Sequence, residues 1–204
     1  MKVLAIMSSP REHSASSTYG EYFLDELQKK RPDCQIKKYY LRTLNYQGCQ
    51  ACYKCQTTIE TRCALNDGLT TVFSDLIEAD ILFIATPIYF DNVPSQLKAF
   101  LDRCNQFYIP DYLLTVAEET SMPKGKILVM INTQEQSGIR RYRAMQESFH
   151  FYFKRFGFAG FHFLSEDLLS TDWDLSHEKH RLFFNSIDDC VNDLAEYFKH
   201  WLRK

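Results

Sequence analysis

The sequence predicts a doubly wound α/β domain, a five-stranded parallel sheet with helices packed on both faces. Three observations predict it. Short apolar runs alternate with segments of helical period five times along the chain. Most of those runs are apolar without a break, as from Ile81 to Ala85, so they need cover on both faces. No repeat, linker or low-complexity tract divides the 204 residues, a length suited to a single domain, so residues 1–204 read as one.

The elements follow in order. Lys2 to Met7 is an apolar run closed by Ser-Ser-Pro, which fits a buried strand. Tyr22, Phe23, Leu24 and Leu27 cluster at helical spacing between Ser17 and Arg31, and Pro32 stops the pattern. Gln35 to Leu41 is rich in Tyr and Lys, as an exposed edge strand would be. An irregular cysteine-rich loop, 45–66, comes next. Asp67 to Ala79 carries Leu69, Val72, Phe73, Leu76 and Ile77 on one helical stripe. Asp80 to Thr86 is the strongest strand, ended by Pro87, and a helix follows over Val93 to Phe107 with Leu97, Phe100 and Leu101. Residues 108–123 read as a mixed connection. Lys126 to Asn132 predicts a strand, Ile139 to Phe156 a helix, Ala159 to Leu164 the last strand and Ser176 to His200 the closing helix.

Composition excludes several functions. The chain is 45% apolar with 16 Phe, enough to bury a core without disulfide staples. With 24 basic against 26 acidic residues, it has no electrostatic footprint for nucleic acid or an anionic membrane. No stretch approaches the roughly 20 apolar residues of a membrane span, and Met1 to Met7 is too short an apolar run for a signal peptide. A cytoplasmic protein with reduced thiols is therefore expected. In that setting the seven cysteines matter, because Cys49, Cys52, Cys55 and Cys63 share a window that an even spread would give about half of one.

In a doubly wound sheet, ligands bind at the carboxyl ends of the strands. The first such loop, Ser8 to Thr18, brings six hydroxyls and Arg11 to a helix N-terminus, where free amides and the helix dipole favour an anion. Helix capping by the same hydroxyls is the competing reading. No G-x-G-x-x-G occurs, which argues against a dinucleotide-binding domain. The second loop, Thr86 to Lys98, delivers two aromatics through a Pro-bounded turn and can face a flat ligand; an ordinary strand-to-helix loop with core aromatics is the alternative. The third is Asn132 to Gly138.

Three cysteines at C-x2-C-x2-C and a fourth after seven intervening residues can converge as four thiolates, a compactness that suits a 4Fe-4S cluster. Structural zinc sites more often use two separated C-x2-C knuckles. An empty motif or a working dithiol remains open. Cys34, Cys104 and Cys190 read as small buried hydrophobes. His177 and His180 lack a third ligand and read as a solvated or capping pair. Arg140, Arg141 and Arg143 read as a solvated face, with contact to a ligand phosphate the alternative.

The S-x-P-R after the first strand and T-P-I-Y-F-x-x-V-P-S-Q-L-K-A-F-L-D-R after the third resemble the flavodoxin-like NAD(P)H-dependent FMN reductase family. The cysteine spacing resembles its iron-sulfur flavoprotein branch. The likeness is strongest from Lys2 to Arg103, although Ser8 and Ser14 stand where Gly is common in the family. It implies a flavodoxin-like sheet of order 2-1-3-4-5. It implies that Ser9, Arg11, Ser16, Ser17 and Thr18 hold the FMN phosphate. Pro87, Ile88, Tyr89, Phe90, Asp91 and Asn92 would wrap the ribityl chain and isoalloxazine, with Thr133, Gln134 and Gly138 as further flavin contacts. Cys49, Cys52, Cys55 and Cys63 would ligate the 4Fe-4S cluster.

The expected function is electron transfer from NAD(P)H through FMN to the cluster, or to a small acceptor. The flavin carries the chemistry, so no catalytic side chain is expected. Partners are then a small-molecule acceptor or a ferredoxin-like protein, in a homodimer or homotetramer with the second loop near an interface. The alternatives are a cluster-free FMN or quinone reductase, and a flavodoxin-type carrier or redox sensor; a carrier would be more acidic than the net charge of −2.

Overall fold

The computed structural model describes residues 1–57, 62–108, 122–135, 140–167, 178 and 180–201. Among these, β1 (Lys2–Met7), β2 (Gln35–Tyr40), β3 (Ile81–Pro87), β4 (Lys126–Gln134) and β5 (Phe158–Asp167) form one parallel sheet in the order β2-β1-β3-β4-β5. This is the flavodoxin-like order. The helices are α1 (Ala15–Lys30), α2 (Gly68–Glu78), α3 (Ser95–Arg103), α4 (Arg140–Arg155) and α5 (Arg181–Trp201).

The sheet explains the sequence pattern. All seven residues of β3 and all nine of β4 are buried. Val3, Ala5, Met7, Ile81, Phe83, Ala85, Val129 and Ile131 face α1 and α5, where Phe23 stacks on Phe83 at 4.5 Å. Leu4, Ile6, Leu82, Ile84, Leu128 and Met130 face α2, α3 and α4. Strand β2 pairs with β1 alone and is partly exposed, the expected edge, and its tyrosines reach across to helix carboxylates: Tyr39 donates to Asp75 at 2.7 Å and Tyr40 to Glu21.

Several boundaries move, each for a local reason. Helix α1 begins at Ala15, not Ser17, because Ser14 is its N-cap. Helix α3 begins at Ser95 and gives way at Cys104–Phe107 to a 3-10 turn, so Val93 to Phe107 is not one helix. Strands β4 and β5 each run past their apolar runs, because Asn132 to Gln134 and Ser165 to Asp167 continue the ladder as polar pairs. Helix α5 is described from Arg181; the earlier start at Ser176, with His177, lies outside the described residues, as do 109–121 of the mixed connection.

The chain steps from β1 outward to β2, then crosses back to β3 on the other side of β1. The carboxyl ends of β1 and β3 thus form the switch point, where the loops leave in opposite directions and open a crevice. Gly20 permits helix α1 to lie close there. A Cβ at Gly20 would stand 2.8 Å from the Ala85 Cβ and 2.8 Å from the Met7 terminal methyl.

Candidate functional site

The first loop turns tightly out of β1. The Ser8 amide donates to the Ala85 carbonyl at 2.9 Å, and its hydroxyl reaches the same oxygen at 3.1 Å, which ties the loop to β3. Ser9 is buried and its Oγ accepts from the Arg11 amide at 3.2 Å. Ser14 caps α1: its Oγ accepts from the Ser17 amide at 3.2 Å, donates to Ser17 Oγ at 2.8 Å and lies 3.3 Å from Ser16 Oγ. Thr18 is exposed and donates to the Ser14 carbonyl at 3.2 Å. Capping and hydroxyl clustering therefore coexist. Ser9, Ser16 and Ser17 are buried beside a helix N-terminus while Arg11 is exposed at the rim.

The second loop is held open by strain. Tyr89 and Asn92 exchange backbone hydrogen bonds, 2.8 Å from the Tyr89 amide and 3.0 Å from the Asn92 amide. Between them Phe90 (φ 49°) and Asp91 (φ 58°) both occupy the left-handed region, as a type I′ turn requires. A bulky aromatic there is a genuine outlier, and Phe90 is fully exposed, so no packing of its own ring offsets the strain. The Ile88 amide donates to the Thr133 carbonyl at 2.9 Å, which joins this loop to the end of β4. Asn92 Oδ1 accepts from the Val93 amide at 2.8 Å and leads into α3.

At the end of β4 lie the expected Thr133 and Gln134, together with a buried polar group of Asn132, Gln146 and Ser165 that sequence reading did not single out. Asn132 is fully buried; its Oδ1 accepts from Gln146 Nε2 and from Ser165 Oγ, each at 3.0 Å, and its Nδ2 has no protein partner. Next along the strand, Gln134 donates to Asp167 at 2.7 Å, so its amide is engaged with β5. Thr133 is buried, and Gly138 lies outside the described residues. The sequence signal was the polar end of an apolar strand, Asn-Thr-Gln after Val-Met-Ile.

The four clustered cysteines line one cavity of about 660 Å³. Its other walls are Asp91 and Asn92 of the second loop, Leu101 and Cys104 beside α3, and Met145, Phe149, Tyr152, Phe153 and Phe156 on or just after α4. Ala51 (φ 50°) and Tyr53 (φ 56°) put two left-handed kinks between Cys49 and Cys55. Cys49 and Cys52 are exposed and Cys55 and Cys63 half-buried. Burial pushes the Cys55 thiol up, and the charge of Cys63 adds to this, followed by Cys49 and Cys52. Even so, among the described residues no three His, Cys, Asp or Glu side chains converge to hold a metal ion. The window lines a common cavity without closing on a common point.

The remaining candidates are engaged elsewhere. Cys34, Cys104 and Cys190 are buried packing residues, as expected. His180 bonds Glu166 at 2.7 Å, and Arg143 pairs with Glu147 at 3.0 Å on the exposed face of α4.

A flavodoxin-order sheet with a hydroxyl-lined helix N-terminus and a strained aromatic turn at its switch point defines a class, the flavodoxin-like nucleotide-cofactor proteins. Within it, the family model described as NADPH-dependent FMN reductase matches residues 1–156, and the chain belongs to that family. An FMN-dependent NADH:quinone oxidoreductase of Pseudomonas fluorescens is 30% identical over 147 residues, 65% of this chain and 68% of that one. An iron-sulfur flavoprotein of Methanocaldococcus jannaschii is 32% identical over 106 residues, 51% of this chain and 50% of the relative. Such matches span about half the length of the archaeal flavoproteins. Among solved structures, the NAD(P)H:quinone oxidoreductase of Methanothermobacter marburgensis superposes with a TM-score of 0.68 at 13% identity, covering 95% of this chain and 96% of that one. At that identity the likeness is one of fold. No helix among the described residues is long and apolar enough to cross a membrane.

Proposed function

We propose that the chain is an FMN-dependent oxidoreductase that takes reducing equivalents from NAD(P)H and passes them to a small-molecule acceptor or to a 4Fe-4S cluster that the cysteine window would hold. The observation that carries this reading is the pairing of two loops at one switch point. One is lined with buried hydroxyls, and the other is held in a conformation that costs free energy and secures no packing for its aromatic.

FMN supplies hydride acceptance and stepwise electron release when bound. The chain's own residues do the rest. Ser9, Ser16 and Ser17, with Arg11 at the rim, take the phosphate, and the dipole of α1 adds to their attraction. Thr18 contributes least, since its hydroxyl is directed at the Ser14 carbonyl. The turn from Pro87 to Asn92 offers the Phe90 amide and the aromatic faces of Tyr89 and Phe90 to the ribityl chain and ring, since the Ile88, Tyr89 and Asn92 amides are engaged within the protein. Thr133 and Gln134 close the far side, and the unpartnered Asn132 Nδ2 is a buried donor that a ligand acceptor would satisfy.

Cys49, Cys52, Cys55 and Cys63 fit a 4Fe-4S cluster by donor type and by their shared cavity, and the cluster would receive electrons singly. Support for the cluster also comes from the name of the archaeal relatives. The second reading is a cluster-free FMN or quinone reductase, favoured by the thiols not converging and by the Pseudomonas relative. A ferredoxin-like protein is the proposed macromolecular partner in the first case, and a small acceptor in the second. We place the protein in the cytoplasm as a homodimer or homotetramer.

Anaerobic purification followed by an absorbance spectrum and assays of iron, acid-labile sulfide and zinc separates these readings. Flavin with about four iron and four sulfide per chain is expected for the cluster enzyme. Flavin alone selects the cluster-free reductase, zinc without sulfide removes the cluster, and failure to bind FMN on reconstitution removes the proposal.

A further inference from the structure

Among the described residues Arg103 carries the largest fully buried side chain, a cation with none of its side-chain surface exposed at the last turn of α3. Every hydrogen-bond acceptor it reaches belongs to a segment flanking the cysteine window. Nη1 donates to the Asp67 carboxylate at 2.7 and 2.6 Å and to the Gln47 carbonyl at 3.2 Å, and Nη2 donates to the Leu65 carbonyl at 3.1 Å. Gln47 precedes Cys49 by two residues and Leu65 follows Cys63 by two. One guanidinium thus pins both ends of the loop that carries the four thiols. Asp67 completes the fastening, because its Oδ2 also accepts from the Gln47 amide at 3.1 Å while Oδ1 caps α2 through the Leu69 amide at 3.1 Å.

A second fastening touches a thiol residue directly. Gln106, buried in the 3-10 turn after α3, donates to the Arg103 carbonyl at 3.1 Å and accepts at its Oε1 from the Cys63 amide at 3.3 Å. The stem before the window lies along the same helix: Tyr46 donates to the Gln96 carbonyl at 2.9 Å, and Gly48 passes Ala99 closely enough for an added Cβ to stand 3.7 Å from the Ala99 Cβ. Helix α3 itself starts at the second loop. It therefore links Asp91 and Asn92 at one end to the base of the cysteine window at the other, about 13 Å away at the α-helical rise.

We infer that Arg103, Asp67 and Gln106 form a positioning clamp that fastens Cys63 and the start of the window to α3, so that all four thiols face one cavity. Closing a flexible loop costs entropy that grows with its length, and a clamp that meets this cost on folding leaves the thiols on one cavity, with only their final approach to be made on a ligand. Arginine suits the role because its planar fork serves two chain segments and a carboxylate at once, which a lysine ammonium does less well. The inference rests on the proposed reading only for the identity of what the thiols hold; the clamping of the thiols stands apart from it.

The test uses FMN-loaded, cluster-free protein treated with diamide, with disulfides mapped by peptide mass spectrometry. Two rates are followed: cross-linking of Cys63 to any of the other three, and pairing within Cys49, Cys52 and Cys55. Arg103→Met is expected to slow Cys63 cross-linking about tenfold or more and Gln106→Leu several-fold. Pairing within the three-cysteine run and FMN affinity should stay near wild type, and Arg103→Lys should recover part of the lost rate. Should Arg103→Met fail to fold, Gln106→Leu and amide exchange at Cys63 decide, with exchange expected to be slow in the wild type and faster in the variant. Wild-type cross-linking in these variants, or equal slowing of both rates, overturns the clamp. Iron and sulfide uptake on reconstitution is measured in parallel. A wild type that takes up neither fails the cluster reading, while the cross-linking rates still decide the clamp.

Discussion

Phe90 and Cys55 show how single residues divide the two cofactor regions. Phe90 holds a left-handed backbone and a fully exposed ring, a combination that stability alone does not favour. Phe90→Gly is therefore expected to leave the unfolding free energy in urea unchanged or raise it by up to about 1 kcal/mol, while FMN affinity falls; loss of stability with FMN affinity intact would make the ring a packing residue. Cys55 lies on the cavity wall with the other three thiols, and no hydroxyl of the first loop lines that cavity. Cys55→Ala should abolish bound iron and sulfide while FMN fluorescence quenching is retained. Loss of both together would mean that the two regions are not built separately. At this scale the sequence was partly readable. Spacing exposed the four cysteines, but it left Arg103 on an amphipathic helix where charge usually means solvent. The clue was its place in line with Leu97 and Phe100 at intervals of three, on the buried stripe. Gln106 and Gln146 left no comparable mark, since their partners are distant in the chain.

Among the elements, α1 connects packing most directly to the site. Gly20 brings its first turns against Met7 and Ala85, and a methyl there would meet the Ala85 Cβ, which has no rotamer with which to move away. Gly20→Ala is expected to cost about 1–3 kcal/mol in urea unfolding and to weaken FMN binding as the helix N-terminus lifts. Unchanged stability would show that the Met7 methyl gives way and the helix does not move. Strand existence was legible throughout because burial on both faces leaves unbroken apolar runs. Strand ends were not, since Asn132 to Gln134 and Ser165 to Asp167 extend the ladder with polar side chains that find each other only across β4 and β5.

For the molecule as a whole, burial of three thiols lowers stability as pH rises above 9, and Tyr19, Tyr22, Tyr39 and Tyr46, raised by burial, act in the same sense above pH 10. Burial raises Cys34 to about 11 and Cys190 to about 12 and pushes Cys104 up as well. In the unfolded chain these thiols lose their protons near pH 9, so their contribution is complete below pH 9 and is lost as pH rises through the folded values. Lys126 works in the opposite sense: burial lowers it to about 8 while its ammonium donates to the carbonyls of Ile77, at 2.8 Å, and of Ala79. Its penalty is relieved between about pH 8 and its unfolded value of 10.5. Three thiols against one lysine leave a net decline. The thermal midpoint should fall from pH 9 to 10.5, with Cys34→Ala and Cys190→Ala flattening the slope; a midpoint that rises over this range would assign control to Lys126.

By itself the sequence determined a doubly wound α/β domain, its element order, its exposed edge strand and the crowding of four cysteines in one window, because each of these is written in local spacing and hydropathy. Only the tertiary structure decided that the second loop stands in a strained turn, that the thiols share a cavity with that loop without converging, and that a buried arginine fastens both ends of their window. Those features depend on pairs such as Arg103 with Gln47 and Leu65, or Asn132 with Gln146, and contacts between distant residues are fixed by packing rather than by any pattern that neighbouring residues carry.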